Sequence, residues 1–387
     1  MSPFSGIGGG LSVMDKTFPA LETLAPQYIQ KFEAYIPSKP DAVLKEIFGC
    51  NRLWRLNNNE NALGPSPCAL QAIEAFHPFQ ASVYPSGDAY FLRQRLAEVT
   101  GLSLDSFIVG NGANEVIAFV IKAFCCEGDN IITADKTFAV YEWVAEFSGF
   151  EARLTPLRGY GFDPEAILAK MDGRTKIIFI CNPNNPTGAY WNESLIRQFL
   201  DQVDGRCIVV LDEAYAEFVV QPDFPDGLSL IEEYPNLIVF RTFSKMFGLA
   251  ALRIGYLAGD PQTVAVIRKT SVCYSVNALA QVAAVASLQD AAFQIARTLE
   301  MVKTSRQYIC NALDGLGLDY VANEGNYLMI RVPMSDTLIY RKLMRQGIMV
   351  RTMTAFRFPN YIRLTLAGRP AMEDFVESLT GILRNGR

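Results

Sequence analysis

The stretch "NLIVFRTFSKMFGLAALRIGY" (Asn236 to Tyr256) decides how this chain is read. It runs apolar from Leu237 to Phe240, turns hydroxyl-rich at Thr242 and Ser244, presents Lys245, and past a glycine turn presents Arg253. A short apolar run without alternation reads as a strand buried on both faces, as parallel strands are. The same grammar recurs: "KIIFI" runs into "CNPNNPTG", "CIVVL" into "DEAY", and "DNIITA" into "DKTFAVY". Helical patterns lie between them, such as Ile117, Val120, Ile121, Phe124, and Leu92, Leu96, Val99. Strand alternating with helix predicts an α/β fold, a mostly parallel sheet flanked by helices. Ligands of such sheets bind beyond the carboxyl ends of the strands, where each polar cluster falls.

Further along, one long helix-like stretch from about Asn277 to Leu313 leads into "NYLMIRV", "GIMVRTM" and "NYIRLTL". These three short strands predict a second, smaller α+β unit. The expected division is 1–60 for an N-terminal arm and part of the small domain, 61–280 for the large domain, and 281–387 for the small C-terminal domain. No repeat or low-complexity tract interrupts this plan.

Composition narrows the function. The 387 residues carry 35 Lys plus Arg against 40 Asp plus Glu, a net charge of -5. That balance gives no electrostatic reason to expect nucleic acid or an anionic membrane. No run of 18 apolar residues and no signal-like start is present, so a soluble, cytoplasmic protein is expected. The eight cysteines show no C-x-x-C spacing, and a single histidine, His77, rules out most histidine-based metal sites, so no metal is expected. His77 precedes Pro78 and reads as a surface turn residue.

At the strand ends stand Asn185 in "NPNNPTG", Asp212 and Tyr215 in "LDEAY", and Lys245 in "FSKMFG". These residue types suit one task, the holding of a pyridine aldehyde: an amine for the carbonyl, a carboxylate for the ring nitrogen, and donors for the ring hydroxylate. With "NENALGPSP", "YPSGDAYFLRQRLA", "VGNGANEVI", "RTFSKMFGLAALRIGY", "NYLMIRV" and "NYIRLTL" in the same order, the chain resembles the fold-type I pyridoxal-phosphate aminotransferases, specifically the histidinol-phosphate aminotransferase group. The resemblance spans roughly residues 32 to 366. It implies an aspartate aminotransferase-like large domain, pyridoxal 5'-phosphate as cofactor, and an amino donor and a 2-oxo acid acceptor as substrates.

Residue by residue, the resemblance implies that Lys245 bonds the cofactor aldehyde and later moves the substrate proton, with Asp212 facing the ring nitrogen. A charge pair at 4 Å and an effective dielectric of 20 is worth roughly 4 kcal/mol, enough to keep that nitrogen protonated at neutral pH. Asn185 and Tyr215 would bond the ring oxygen, and Phe138 would stack on the ring. The phosphate would sit on the helix N-terminus at Ala113 and Asn114, with Thr242, Ser244 and Arg253 around it. A homodimer is implied, with Tyr84 reaching the neighbouring subunit's site.

For the substrate, Arg351 and Arg363 correspond to the residues that grip the substrate phosphate, Asn185 is a further expected substrate-binding residue, and Tyr35 matches a lid tyrosine. The implied reaction is transfer from histidinol phosphate to 2-oxoglutarate. Several positions depart from the family: Ala62 and Leu63 where proline and tyrosine are usual, Ser38 for glycine, Ala251 for glycine, and "TLAGRP" after Arg363. The last brings Arg369 near, and Arg357 adds a further cation at the expected rim. These departures leave open a relative acting on another amino acid by elimination, cyclisation or decarboxylation. A regulator without catalysis is disfavoured, because Lys245, Asp212 and Tyr215 are all present.

Overall fold

A computed structural model describes residues 21–34 and 37–384. The apolar runs assemble into one sheet whose strands lie in the order Phe107–Gly110, Gly255–Gly259, Leu237–Thr242, Ile208–Asp212, Thr175–Cys181, Asn130–Ala134 and Glu151–Thr155. The last five pair in parallel, whereas Gly255–Gly259 runs antiparallel to both its neighbours. Every residue of Ile208–Asp212 and of Asn130–Ala134 is buried, because helices cover both faces of a parallel sheet. Helix Ala113–Phe124 turns Val116, Ile117, Phe119, Val120 and Ile121 inward. Helix Glu193–Val203 begins where Asn192 Oδ1 accepts the Leu195 N–H, and it buries Ile196, Phe199, Leu200 and Val203.

The second sheet has the order Trp54–Leu56, Ile348–Thr352, Tyr361–Thr365, Tyr327–Arg331, Tyr320–Val321. Its first pair is parallel and the others antiparallel, so a strand from the N-terminal segment closes its edge. The register sets Arg351 directly opposite Arg363. Directly opposed side chains share a face, so this alignment brings two cations together.

The single helix expected from Asn277 to Leu313 is two helices, Ala278–Ser287 and Ala291–Leu316. The break falls at Leu288–Asp290, where Asp290 Oδ2 accepts the Cys68 N–H at 3.0 Å from the helix Pro67–Glu74. A bond to another helix there replaces the continuation of this one. His77 does serve a turn: its Nδ1 accepts the Phe79 N–H, and Gln80 Oε1 accepts the His77 N–H. Arg369 is not at the rim near Arg363. It opens helix Arg369–Arg384, lies 3.6 Å over the Tyr308 ring and pairs with Glu373 one turn on.

Candidate active site

The ends of strands Leu237–Thr242, Ile208–Asp212 and Thr175–Cys181 converge on one place, where the second sheet faces the first. Lys245 is half-buried there, and its Nζ donates to the Asn58 carbonyl at 2.7 Å. Desolvation first, then the Arg363 and Arg253 charges, lower its pKa to about 7, while Glu60 and Asp212 oppose the shift. Near neutral pH about half of the amine is therefore unprotonated, the form that attacks a carbonyl.

Asp212 is buried, and burial raises its pKa. Hydrogen bonds from Tyr141 Oη at 2.5 Å and from the Ala214 N–H at 3.1 Å counter that rise, as does the Lys245 charge. A carboxylate buried with donors on both oxygens is oriented and awaits a cation. Tyr215 Oη accepts from Asn59 Nδ2 at 2.8 Å, and its ring meets Tyr327 edge-on at 5.1 Å. Burial pushes that phenol up to about 12, against the Arg363 charge, so it remains a donor through neutral pH. Lys245 Nζ stands 5.8 Å over the same ring.

The second end of the site is built for an anion. Gly112, at φ 82, precedes helix Ala113–Phe124, and no side chain caps that N-terminus. A Cβ on Gly112 would lie 2.4 Å from Arg253 Nη2, so glycine alone lets the guanidinium sit against the loop. Arg253 itself holds φ 57 and is anchored by the Ala250 carbonyl at 3.0 Å and Ser244 Oγ at 3.4 Å. Glu115 Oε2 accepts the Asn111 N–H and the Ser275 hydroxyl, fixing the loop. Uncapped N–H groups, a guanidinium and the hydroxyls of Thr242 and Ser244 are groups of the kind that can hold a phosphate. An amine of lowered pKa, a buried carboxylate and a guanidinium beside an uncapped helix N-terminus are the donor set that a flat aldehyde with a phosphate arm needs, so the residues present fit pyridoxal phosphate.

Arg363 is 4% exposed; it bonds Asn185 Oδ1 and the Asn57 carbonyl, while its buried Nε has no partner. Arg351 is half-buried, lies 5.5 Å from the Phe356 ring, and has no hydrogen bond or ion pair among the described residues. Two adjacent guanidiniums and no carboxylate between them leave positive charge to be met by a ligand. Phe138 is half-buried and meets Tyr141 edge-on at 5.5 Å. Tyr84 is exposed, apart from this cluster, and packs on Tyr274 at 5.2 Å. Tyr35 lies outside the described residues. Arg357, expected as a further cation at the rim, is paired with Glu142.

Sequence reasoning missed Tyr141, Asn59 and Asn57. Nothing in "TFAVY" marks Tyr141 as more than a core tyrosine, and the asparagines sit in a polar run that any loop could show. A cavity of about 300 Å³ borders Thr242 but is lined by Leu96, Arg241, Phe247 and Tyr256 rather than by Lys245 or Asp212, so convergent donors locate the chemistry better than void volume does. Among the described residues no cluster suits a metal ion, and no helix is long and apolar enough to cross a membrane.

Comparisons agree with this geometry. The family model described as aminotransferase class I and II matches residues 52–378. A histidinol-phosphate aminotransferase of Moorella thermoacetica is 35% identical over 92% of this chain and 92% of its own length. Histidinol-phosphate aminotransferase 2 of Pseudomonas fluorescens Pf-5 is 36% identical, covering 93% and 97%. Among solved structures, the histidinol-phosphate aminotransferase of Sinorhizobium meliloti in complex with pyridoxal-5'-phosphate superposes with a TM-score of 0.84 at 25% identity, over 93% of this chain and 98% of that one. An L-threonine-O-3-phosphate decarboxylase of Porphyromonas gingivalis, at 21% identity and a TM-score of 0.75, shares the fold alone. With the matched model spanning most of its length, this chain belongs to the class I and II aminotransferase family.

Proposed function

We propose that this protein is a pyridoxal-phosphate-dependent aminotransferase that moves the amino group of histidinol phosphate to 2-oxoglutarate. The observation that carries the substrate half is the pair Arg351 and Arg363, opposed in register and without a carboxylate partner among the described residues. The names of relatives at 35% and 36% identity support the same reading over decarboxylation or elimination.

When bound, the cofactor supplies an electrophilic aldehyde and a ring that takes up the electrons of a broken C–H bond. The chain's residues do the rest. Lys245 Nζ, unprotonated in part near pH 7, would hold the aldehyde end of the cofactor and, once free of it, would take up the proton from the amine-bearing carbon of the substrate. Asp212, its two oxygens aimed by Tyr141 and Ala214, would pair with the protonated ring nitrogen. Asn185 and Tyr215 would bond the ring oxygen, Phe138 would cover the ring, and Ala113, Asn114, Thr242, Ser244 and Arg253 would hold the phosphate. Arg351 and Arg363 hold the substrate phosphate, or the carboxylate of the second substrate, in the same place.

The same reading divides the chain into a large unit at 61–280 and a small one at 281–387 completed by the N-terminal segment. It makes the protein a cytoplasmic homodimer, supported by an exposed apolar group at Phe79, Val83, Tyr84, Phe91 and Tyr274, with Tyr84 reaching the partner's site and Tyr35 closing over the substrate. The test is direct: incubation with histidinol phosphate and 2-oxoglutarate, with mass identification of imidazole acetol phosphate and glutamate. Arg351→Ala should raise KM for the phosphorylated donor by about 30-fold, the value of one charge-assisted bond, and leave an unphosphorylated donor nearly unchanged. Equal losses for both donors would overturn the assignment.

A further inference from the structure

Arg357, a cation at the edge of the site, is not free: it is paired with Glu142. It stands in the left-handed region at φ 61, closing the short turn Thr354–Phe356 that follows strand Ile348–Thr352. A non-glycine residue held there is strained unless its surroundings compel it. Here the compulsion is visible: Nη2 donates to Glu142 Oε1 at 2.8 Å, and Nη1 donates to Glu142 Oε2 at 3.1 Å and to the Asp135 carbonyl at 2.6 Å. The fork therefore crosses from the second sheet to helix Val140–Phe147 of the first.

Both ends of this bridge carry site residues. On one side, Asp336 accepts the Met353 and Thr354 N–H groups at 2.8 and 2.7 Å and the Thr354 hydroxyl at 2.8 Å, so the turn moves as one piece. Within that piece the Phe356 ring lies 5.5 Å from the Arg351 guanidinium and 5.8 Å from that of Arg363. On the other side, Asp135 and Glu142 bracket Phe138 and Tyr141, the latter bonded to Asp212. A small cavity of about 10 Å³ lies at this bridge, bordered by Phe138, Glu142, Phe356 and Arg357.

We propose that Arg357 and Glu142 form a clasp that sets the separation between the substrate-anion guanidiniums and the cofactor face, making Arg357 a positioning residue and not a ligand of the substrate. The inference rests on Arg351 and Arg363 being the anion site. It makes an unusual forecast: neutralising an acid should weaken binding of an anion. Were Arg357 a ligand, Glu142→Gln would free its charge and strengthen that binding.

The test uses the holoenzyme and its Glu142→Gln, Arg357→Ala, Arg357→Lys and doubly substituted (Glu142→Gln with Arg357→Ala) forms, with Arg351→Ala as reference. Each single change should raise KM for histidinol phosphate about fivefold with kcat within twofold, the double form should be no worse than either, and lysine should not rescue, because it lacks the fork. Hydrogen exchange in 353–358 should quicken in Glu142→Gln without substrate. Unchanged exchange overturns the clasp whatever the substrate is. Quickened exchange with an unchanged or lower KM in Glu142→Gln, while Arg351→Ala raises KM, overturns the positioning role. An Arg351→Ala form with unaltered KM instead sinks the anion-site reading, and the exchange result then decides the clasp alone.

Discussion

Burial moves the pKa of Lys245 down and that of Asp212 up from the values of freely solvated side chains. The lysine's pKa lies at about 7 against 10.5 for the free side chain, so between those values the unfolded chain binds more protons than the folded one. Stability of the cofactor-free protein should therefore gain a component that rises with pH from about 7 to 10.5, and Lys245→Met should remove it and unfold at higher temperature near neutral pH. Thermal unfolding of both proteins across that range checks the point; parallel curves would contradict it. Covalent capture of pyridoxal phosphate should likewise accelerate through a midpoint near pH 7. For Asp212, the Tyr141 hydroxyl opposes the upward push of burial, so Tyr141→Phe should move its pKa further up. Loss of a hydrogen bond to a charged group is worth about 2 kcal/mol, which sets an expected tenfold or larger fall in kcat. The pH below which the cofactor spectrum changes should also rise. Lys245 and Asp212 stood out as candidates because few other tasks need those types at successive strand ends; Tyr141 did not, since nothing in "TFAVY" separates a core tyrosine from one bonded to a carboxylate.

Elements position these residues through a few steric requirements. The glycine turn after Lys245 is one: Gly248 sits at φ 69, and a Cβ there would come within 2.6 Å of the Gly64 backbone. Gly112 is the other, and its replacement by alanine should displace Arg253 and weaken pyridoxal phosphate binding more than tenfold, measured by equilibrium dialysis, while the fold's circular dichroism stays the same. Tight binding by that variant would mean that the cradle lies elsewhere. At this scale the sequence spoke clearly for strands with uninterrupted apolar runs and poorly for "GYLAG", whose two glycines and five residues give no period to read although it forms the antiparallel strand Gly255–Gly259. The helix break at Leu288–Asp290 was equally silent, because it is fixed by Cys68, more than two hundred positions away in sequence.

In the whole molecule, the two sheets meet across the site, and an exposed aromatic group around Tyr84 and Tyr274 lies outside it. No local pattern in the sequence reports which surfaces two copies share. If Tyr84 serves the partner's site, Tyr84→Ala and Lys245→Ala subunits should complement one another. Random mixing makes about half of the dimers hybrid, each with one intact site of two, so activity should return to about a quarter of the parent value. Absence of any recovery would place Tyr84 in its own subunit's site or nowhere near one. Above all stands the bond at Lys245. Borohydride reduction of the pyridoxal-phosphate-loaded protein, followed by digestion and mass spectrometry, should yield one modified peptide containing Lys245 and none from Lys245→Ala. A modified peptide at another lysine, or none at all, would contradict the account at its centre.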